Sequence, residues 1–497
     1  MKLKEKVVSG FVWHSVERFG WLAVQSLISL LLARKLLPGD FGLVSMLMVF
    51  SAVAQGIVES GFSQALIRKQ DATERDYTSV FYVNIVVAIV LYLILCGLAG
   101  PIARFYDQPT LTRHAPTLFA IIPIGALTLV HNTIILKQMR FKASAVINLS
   151  ATISTGVVAV WMAYRGMGIQ SLVFQMVGRE ALRMALLWTW NRWLPTGGFS
   201  LSAVRELFGF GSKLMVTGIL GNVAGNIAQF LIGKFRSPLE LGLYYQSQKL
   251  RDSFSLSITA AITNVSFPAF AELQDKPQEL REASRKVIVV LSFALFPVLL
   301  GLAGIAEDFF RLVLTEKWLD AVPYFQVFCL AALFLPGTFV SYNILRAKGC
   351  GTQILRVEFI KRVVMLAMIL ATVFVSVMAV VWAMLAYSAF ELVIHLLYAR
   401  RHSGYSLGKF LRDSAPYLAI SLAMYGLIWA VGQLAPQIIG LAQGSIGLLV
   451  LKIAVGASFY LLMSSLLRTE AWWEARTIIS GLRTKFRPQK PTADKID

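Results

Sequence analysis

The chain contains fourteen apolar stretches, each long enough to cross a bilayer as a helix, since about 20 residues cover the hydrocarbon core. They lie at residues 9–33, 41–60, 79–102, 115–135, 143–164, 167–190, 209–232, 241–265, 286–308, 320–343, 354–376, 378–399, 414–435 and 445–466. Backbone groups in lipid must pair within their own segment, and these stretches lack the alternating polarity of barrel strands. The sequence therefore predicts an all-α polytopic membrane protein with about 14 transmembrane helices.

The composition argues against a water-soluble enzyme. Hydrophobic residues make up 57% of the 497 residues and charged residues only 15%, whereas soluble domains have about 45–50% and about 25%. The net charge of +20 is spread over short connectors, so it indicates membrane topology and attraction to anionic lipid rather than nucleic-acid binding. The three cysteines, Cys96, Cys329 and Cys350, form neither a disulfide framework nor a zinc motif.

Lysine and arginine in the connectors predict the orientation of the chain. With the N-terminus in the cytoplasm, 29 of the 47 basic residues lie on the cytoplasmic side, in the termini, the connectors or the adjoining ends of spans (Lys286 and Arg356), and nine lie in outer connectors. An even number of spans then places both termini in the cytoplasm. The first apolar stretch is too long for a signal peptide and contains Glu17 and Arg18, so we expect it to be retained.

Two connectors resemble each other at an offset of 200 residues. Residues 36–43 read LLPGDFGL and residues 236–243 read RSPLELGL, so that proline, an acidic residue, glycine and leucine coincide. Proline and an acidic residue are ordinary helix-start signals, but two copies after the first and seventh spans predict two pseudo-symmetric six-helix lobes with a site between them. The predicted parts are an N-lobe (1–190), a cytoplasmic linker (191–208), a C-lobe (209–399), two appended C-terminal helices (400–466) and a cytoplasmic tail (467–497).

Motifs of soluble catalysis are missing from the sequence. It contains no phosphate-binding loop, no HExxH, no CxxC and no Asp-x-Asp pair. We therefore predict a transporter with no catalytic residues, no metal site and no cofactor. Transport would be driven by a proton or sodium gradient, or by the gradient of the substrate itself.

Charged residues inside predicted spans are costly in lipid and are therefore candidates for function. The basic candidates for binding an anionic substrate are Arg18, Arg179, Arg183, Lys213, Lys249 and Arg251. The candidates for ion coupling are His14, Glu17 and Asp252. The excess of basic over acidic groups favours an anion, and the planar guanidinium of arginine suits a phosphate. Structural ion pairing around Glu180 is the alternative for the two arginines of the sixth span, and snorkelling to the interface is the alternative for Lys213.

Several segments resemble bacterial polysaccharide exporters. They are LARKLLPGDFGL at 32–43, SGFSQALI at 60–67, IARFY at 102–106, YYQSQKL at 244–250 and VSFPAF at 265–270. In this order they are similar to Wzx-type lipid-linked oligosaccharide flippases, particularly the colanic acid and teichuronic acid exporter branch. The resemblance covers essentially the whole chain.

This resemblance implies the multidrug/oligosaccharidyl-lipid/polysaccharide fold, with two six-helix lobes and two extra helices. It also implies alternating-access transfer of undecaprenyl-diphosphate-linked oligosaccharide repeat units to the outer leaflet of the bacterial inner membrane, for exopolysaccharide or O-antigen export. Relatives line their central cavity with spans 1, 2, 7 and 8, which here contain Arg18, Lys213, Lys249 and Arg251. The implied partners are the lipid-linked oligosaccharide, membrane lipid, and the polysaccharide polymerase and chain-length proteins.

Two alternatives to this hypothesis stay open at the level of sequence. One is another flippase or antiporter of the same superfamily, for a peptidoglycan precursor or a small molecule. The other is a membrane enzyme of polysaccharide assembly, such as a polymerase or a polyprenyl-dependent glycosyltransferase. A large outer loop with arginine or histidine, or an acidic metal pair, would favour the enzyme, and the sequence contains neither.

Overall fold

The computed structural model describes residues 3–59, 61–438, 442 and 444–473, and the regular elements there are all helical. In chain order they are α1 (Leu3–Lys35), α2 (Pro38–Glu59), α3 (Phe62–Arg68), α4 (Glu74–Gly97), α5 (Ala99–Tyr106), α6 (Thr110–Phe119), α7 (Ile121–Lys137), α8 (Phe141–Tyr164), α9 (Ile169–Asn191), α10 (Leu201–Phe235), α11 (Pro238–Glu272), α12 (Pro277–Phe309), α13 (Val322–Ala332), α14 (Leu335–Ala347), α15 (Gly351–Val373), α16 (Val377–Ser403), α17 (Leu407–Ile438) and α18 (Ile446–Leu466). A π-helical turn (Phe310–Leu314) and a 3₁₀ segment (Glu316–Ala321) join α12 to α13. The predicted tail beyond residue 473 lies outside the described residues.

Each predicted span overlaps one α-helix or two consecutive α-helices, and the span at 320–343 also includes the end of the 3₁₀ segment. Within the described part of the chain, nine helical segments are long and apolar enough to cross a membrane, and a tenth qualifies if the pair bent by 43° that ends with α14 counts as one span. Helices α9, α11 and α15 carry charged residues in their interiors. The prediction of an all-helical multi-pass membrane protein is confirmed, and the number fourteen stays a prediction.

The chain forms two compact units. The first contains the residues up to Ser253, Val313–Phe325 and Arg362–Met384, and the second contains Phe254–Leu312, Gln326–Lys361 and the residues from Leu385 onward. The predicted division into two six-helix lobes stays a prediction.

In the first unit, α1 packs against α8, and α8 packs against α9. Small residues of α8 allow the close approach to α1 that is typical of membrane helices. A Cβ atom at Gly156 would lie 2.1 Å from Cδ1 of Ile28. Helices α1 and α9, which both pack against α8, contribute residues to the wall of the cavity described below.

Helices α2 and α11 begin in the same way, as the similarity of their sequences predicts. The carboxylate of Asp40 accepts a hydrogen bond from the backbone N–H of Leu37 at 3.1 Å. The carboxylate of Glu240 accepts one from the backbone N–H of Ser237, also at 3.1 Å. Each acidic side chain therefore satisfies a backbone donor just before its helix and lies near the positive end of the helix dipole.

The predicted linker 191–208 is packed against the helices of the first unit. The indole of Trp193 donates a hydrogen bond to Glu74 at 2.7 Å. Nearby, the Lys69 ammonium forms ion pairs with Glu206 at 3.0 Å and with Asp76 at 3.3 Å. The hydrogen bond to Glu206 is the main reason why the pKa of Lys69 lies above its ordinary value. These contacts connect the start of α10 to the connector between α3 and α4.

In the second unit, the two C-terminal helices α17 and α18 pack against α12. A buried ion pair joins Lys452 of α18 to Asp308 of α12. Arg285 of α12 pairs with Asp413 of α17 at 3.6 Å and with Glu470, which follows α18. The helices predicted as an appendage are thus attached to α12 by charged contacts as well as by apolar packing.

Candidate functional site

A cavity of about 810 Å³ lies within the first unit. Helices α1, α2, α7, α9, α10 and α11 contribute to its walls. Its amide-bearing lining residues are Gln25, Gln55, Gln64, Asn132, Gln175 and Asn222. Its charged lining residues are Glu59, Arg179, Glu180, Arg183 and Lys249. The volume is in the range of ligand-binding pockets, and the lining combines basic groups with many neutral donors and acceptors.

Helix α9 contributes the charged centre of the cavity. Arg179 and Arg183 are one helical turn apart and share a face. The guanidinium of Arg183 lies 3.3 Å from one carboxylate oxygen of Glu180, and that of Arg179 pairs with the other oxygen. Glu180 is buried, with 8% of its surface exposed.

Neighbouring helices hold both arginines in place. The guanidinium of Arg183 donates a hydrogen bond to the amide oxygen of Asn132 in α7 at 3.0 Å. The guanidinium carbon of Arg179 lies 6.0 Å from the centre of the indole ring of Trp21 in α1. Because these contacts come from different helices, the positions of the two cationic groups do not depend on Glu180 alone.

Lys249 adds a third basic group from α11. Its ammonium donates a hydrogen bond to the hydroxyl of Ser29 at 3.1 Å and lies 5.7 Å from the ring centre of Tyr245. Both Tyr245 and Lys249 line the cavity. The structure therefore places two residues of the segment 244–250 in the wall of the cavity.

Polar contacts between helices complete the walls. The amide of Gln175 in α9 donates to the amide oxygen of Gln25 in α1 at 3.2 Å. The amide of Asn222 in α10 donates to the backbone oxygen of Ala52 in α2 at 3.1 Å. These amides are polar groups inside predicted spans, and their position was the signal that could have identified them as site residues.

Three of the six predicted basic residues line the cavity, and the other three are located elsewhere or not described. Arg18 is exposed. Arg251 forms an ion pair with the adjacent Asp252 at 3.1 Å. The side chains of Lys213 and His14 lie outside the described residues. The substrate-binding and ion-coupling roles of all these residues stay predictions.

Glu17 connects α1 to α8. Its carboxylate accepts a hydrogen bond from the hydroxyl of Ser144 at 2.8 Å and another from the amide of Asn148. These contacts give Glu17 a structural role in packing α1 against α8, and its role in ion coupling stays a prediction.

A second cluster of charged residues lies in the second unit. The Lys361 ammonium pairs with Glu358 at 2.8 Å and with Glu391 at 2.6 Å, and lies 3.2 Å from Nε2 of His395. Lys361 and His395 are both buried. Across the described chain, the structure brings together no set of three or more His, Cys, Asp or Glu side chains suited to a metal ion.

The family of the chain follows from a comparison with family models. Residues 31–323 match the family described as polysaccharide biosynthesis protein. The chain belongs to this family. TuaB of Bacillus subtilis, named a teichuronic acid biosynthesis protein, is 27% identical to it over 353 residues, which are 70% of this chain and 72% of TuaB. WzxC of Escherichia coli, named a lipopolysaccharide biosynthesis protein, is 25% identical over 338 residues, 67% of this chain and 68% of WzxC. The resemblance to Wzx-type exporters is thereby confirmed.

A solved structure shares the fold. The lipid II flippase MurJ, in an inward closed conformation, aligns with a TM-score of 0.72 over 92% of this chain and 98% of the MurJ chain. The two sequences are 11% identical in this alignment, so the likeness shows the fold alone. It confirms the all-helical transporter fold that the sequence resemblance implies, whereas the two six-helix lobes and the number of spans stay predictions.

Proposed function

We propose that this protein flips undecaprenyl-diphosphate-linked oligosaccharide repeat units from the cytoplasmic to the outer leaflet of the bacterial inner membrane by alternating access. The observation that carries the proposal is the cavity of about 810 Å³ in which Arg179, Arg183 and Lys249 lie among six amide side chains. Both termini are cytoplasmic in this proposal. The product would serve exopolysaccharide or O-antigen assembly.

The basic groups of the cavity suit the diphosphate. A guanidinium can form two parallel hydrogen bonds with a phosphate, and the lysine ammonium acts as a point charge. Each hydrogen bond to a charged group contributes about 1.5–3 kcal/mol. Two arginines one turn apart present their guanidinium groups from the same helix face, and this arrangement suits a ligand with two adjacent phosphates.

The amide side chains suit the sugars. Amides both donate and accept hydrogen bonds, as sugar hydroxyls do, so they can bind different sugars without a fixed pattern. The aromatic rings of Trp21 and Tyr245, which also line the cavity, offer flat apolar faces. The lipid tail would stay in the bilayer, since its transfer into a polar cavity would be unfavourable.

The relatives support a role in polysaccharide export, because their names place them in teichuronic acid and lipopolysaccharide biosynthesis, and the fold is shared with a lipid II flippase. In this proposal the protein makes and breaks no covalent bond and is a transporter rather than an enzyme. A proton or sodium gradient would drive the cycle, with His14, Glu17 and Asp252 as the candidate coupling residues. The polymerase and chain-length proteins would receive the translocated lipid-linked repeat units.

The decisive experiment examines the lipid intermediates of a strain that lacks the protein. Loss of a flippase should leave complete lipid-linked repeat units on the inner leaflet, because their synthesis is unaffected. Loss of a glycosyltransferase would leave truncated units, and loss of a polymerase would leave complete units on the outer leaflet. Chemical analysis of the intermediates, with a leaflet-specific labelling of the sugars, separates these cases. Truncated units, or complete units on the outer leaflet, would contradict the proposal.

A further inference from the structure

A single buried carboxylate lies between the two arginines of the cavity. One oxygen of Glu180 pairs with Arg179, and the other lies 3.3 Å from Arg183. Carboxylate and phosphate oxygens use the same donors of a guanidinium with similar geometry. Glu180 therefore occupies the hydrogen-bonding positions that the phosphates of a substrate would need.

A ligand that binds these arginines must displace Glu180 from at least one of them. The binding free energy is then the difference between the phosphate contacts and the carboxylate contacts that are lost. The arginines would keep their places during this exchange, because Asn132 holds Arg183 at 3.0 Å and the indole of Trp21 lies 6.0 Å from Arg179. The exchange thus needs movement of one side chain and no change in the helix packing.

We propose that Glu180 is a resident competitor of the substrate phosphates, which lowers the affinity for the head group and drives its release by returning to Arg179 and Arg183. The inference rests on the proposed function, since it takes these arginines as the phosphate-binding groups. A carrier must bind its substrate strongly enough to load it and weakly enough to unload it. The carboxylate of Glu180 weakens substrate binding from within the site, so the substrate can be unloaded.

The sign of the expected effect distinguishes this role from a structural one. Glu180→Gln keeps the shape of the side chain and removes its charge. A residue needed only for structure should weaken binding when it is replaced, whereas removal of a competitor should strengthen it. We expect Glu180→Gln to bind a diphosphate at least about tenfold more tightly, which corresponds to about 1.4 kcal/mol. Export should fall at the same time, because release becomes slow.

The experiment measures the Kd of undecaprenyl diphosphate for the full-length protein in nanodiscs of neutral phosphatidylcholine, together with export in a complemented deletion strain. Glu59→Gln is the matched control, because Glu59 lines the same cavity and its replacement removes the same charge. We expect a clearly smaller change in Kd for the control. Equal tightening in both variants would overturn the inference, since it would show a general effect of cavity charge.

Glu180→Asp gives a second, milder test that keeps the charge. Its shorter side chain reaches both arginines less well. We therefore expect its affinity for undecaprenyl diphosphate to lie between that of the wild type and that of Glu180→Gln. If Glu180→Gln does not fold, the aspartate variant decides the matter. Unchanged or weaker binding in the folded Glu180 variants would overturn the inference.

The same measurements separate failure of the inference from failure of the proposed function. A wild-type protein that does not bind undecaprenyl diphosphate would contradict the proposed function, and the inference with it. Binding that is weakened by Arg183→Ala but not strengthened by either Glu180 variant would leave the proposed function in place and overturn the inference alone.

Discussion

Gly42 and Gly242, which occupy the same position in the two similar segments, each pack against the start of the other's helix. A Cβ atom at Gly42 would lie 1.9 Å from the carbonyl oxygen of Pro238, and one at Gly242 would lie 1.8 Å from that of Pro38. Each of these Cβ positions is also 3.1 Å from the backbone nitrogen of the other glycine. The contact is therefore reciprocal, and the resemblance between the two segments has a direct structural counterpart.

This contact predicts that neither glycine tolerates alanine. A methyl group at Gly42 would collide with backbone, which cannot rotate away as a side chain can, and overpacking of this kind destabilises by about 1–3 kcal/mol. We expect Gly42→Ala and Gly242→Ala to lower the thermal unfolding temperature in detergent and to reduce export. Gly39→Ala is the control, because its Cβ would meet no atom closer than 4.0 Å. Equal stability of Gly42→Ala and Gly39→Ala would refute the close contact.

The arginine pair of α9 predicts a strong effect on binding. Arg183→Ala removes at least one charged hydrogen bond to a phosphate, so we expect binding of undecaprenyl diphosphate to weaken about 10- to 150-fold. Export should fall accordingly while the protein still reaches the membrane. Arg165→Ala, which removes an exposed arginine outside the cavity, should bind and export as the wild type does. Normal binding by Arg183→Ala would show that Arg183 does not bind the substrate.

The distribution of basic residues predicts the topology. In a background without the three native cysteines, Ser200→Cys and Gln278→Cys should be protected from an impermeant thiol reagent in intact cells. Thr112→Cys, in a predicted outer connector where the side chain is exposed, should be labelled. Both cytoplasmic positions should react after the cells are opened. Labelling of Gln278→Cys in intact cells would reverse the predicted orientation.

The buried pair of Lys452 and Asp308 predicts a large effect on stability. Lys452→Ala leaves the Asp308 carboxylate buried without its partner, and breaking a buried pair in this way destabilises by about 3–5 kcal/mol. The double variant Lys452→Met/Asp308→Leu should recover much of this loss, because it removes both charges. A double-mutant cycle on the unfolding temperature measures the coupling, and simple additivity would show that the pair does not interact.

The helical membrane fold was predictable from the sequence because its causes are local. The length of an apolar stretch and the need to pair its backbone groups in lipid decide that it becomes a helix, whatever its neighbours are. The start of α2 was predictable for the same reason, since Asp40 bonds to the backbone three residues earlier. The repeat was visible because the two segments use the same local signals.

The membership of the site was decided by the tertiary structure. Arg18 and Arg179 look alike in sequence, as arginines inside predicted spans, each beside a glutamate, yet Arg18 is exposed and Arg179 lines the cavity. Lys452 meets a partner 144 residues away in the chain. Which face of a helix turns toward lipid, a neighbour or a cavity depends on the rotation of that helix, and packing against helices distant in sequence determines this rotation. The sequence by itself therefore determined the helices and the chemistry available in them, and only the tertiary structure decided which side chains meet.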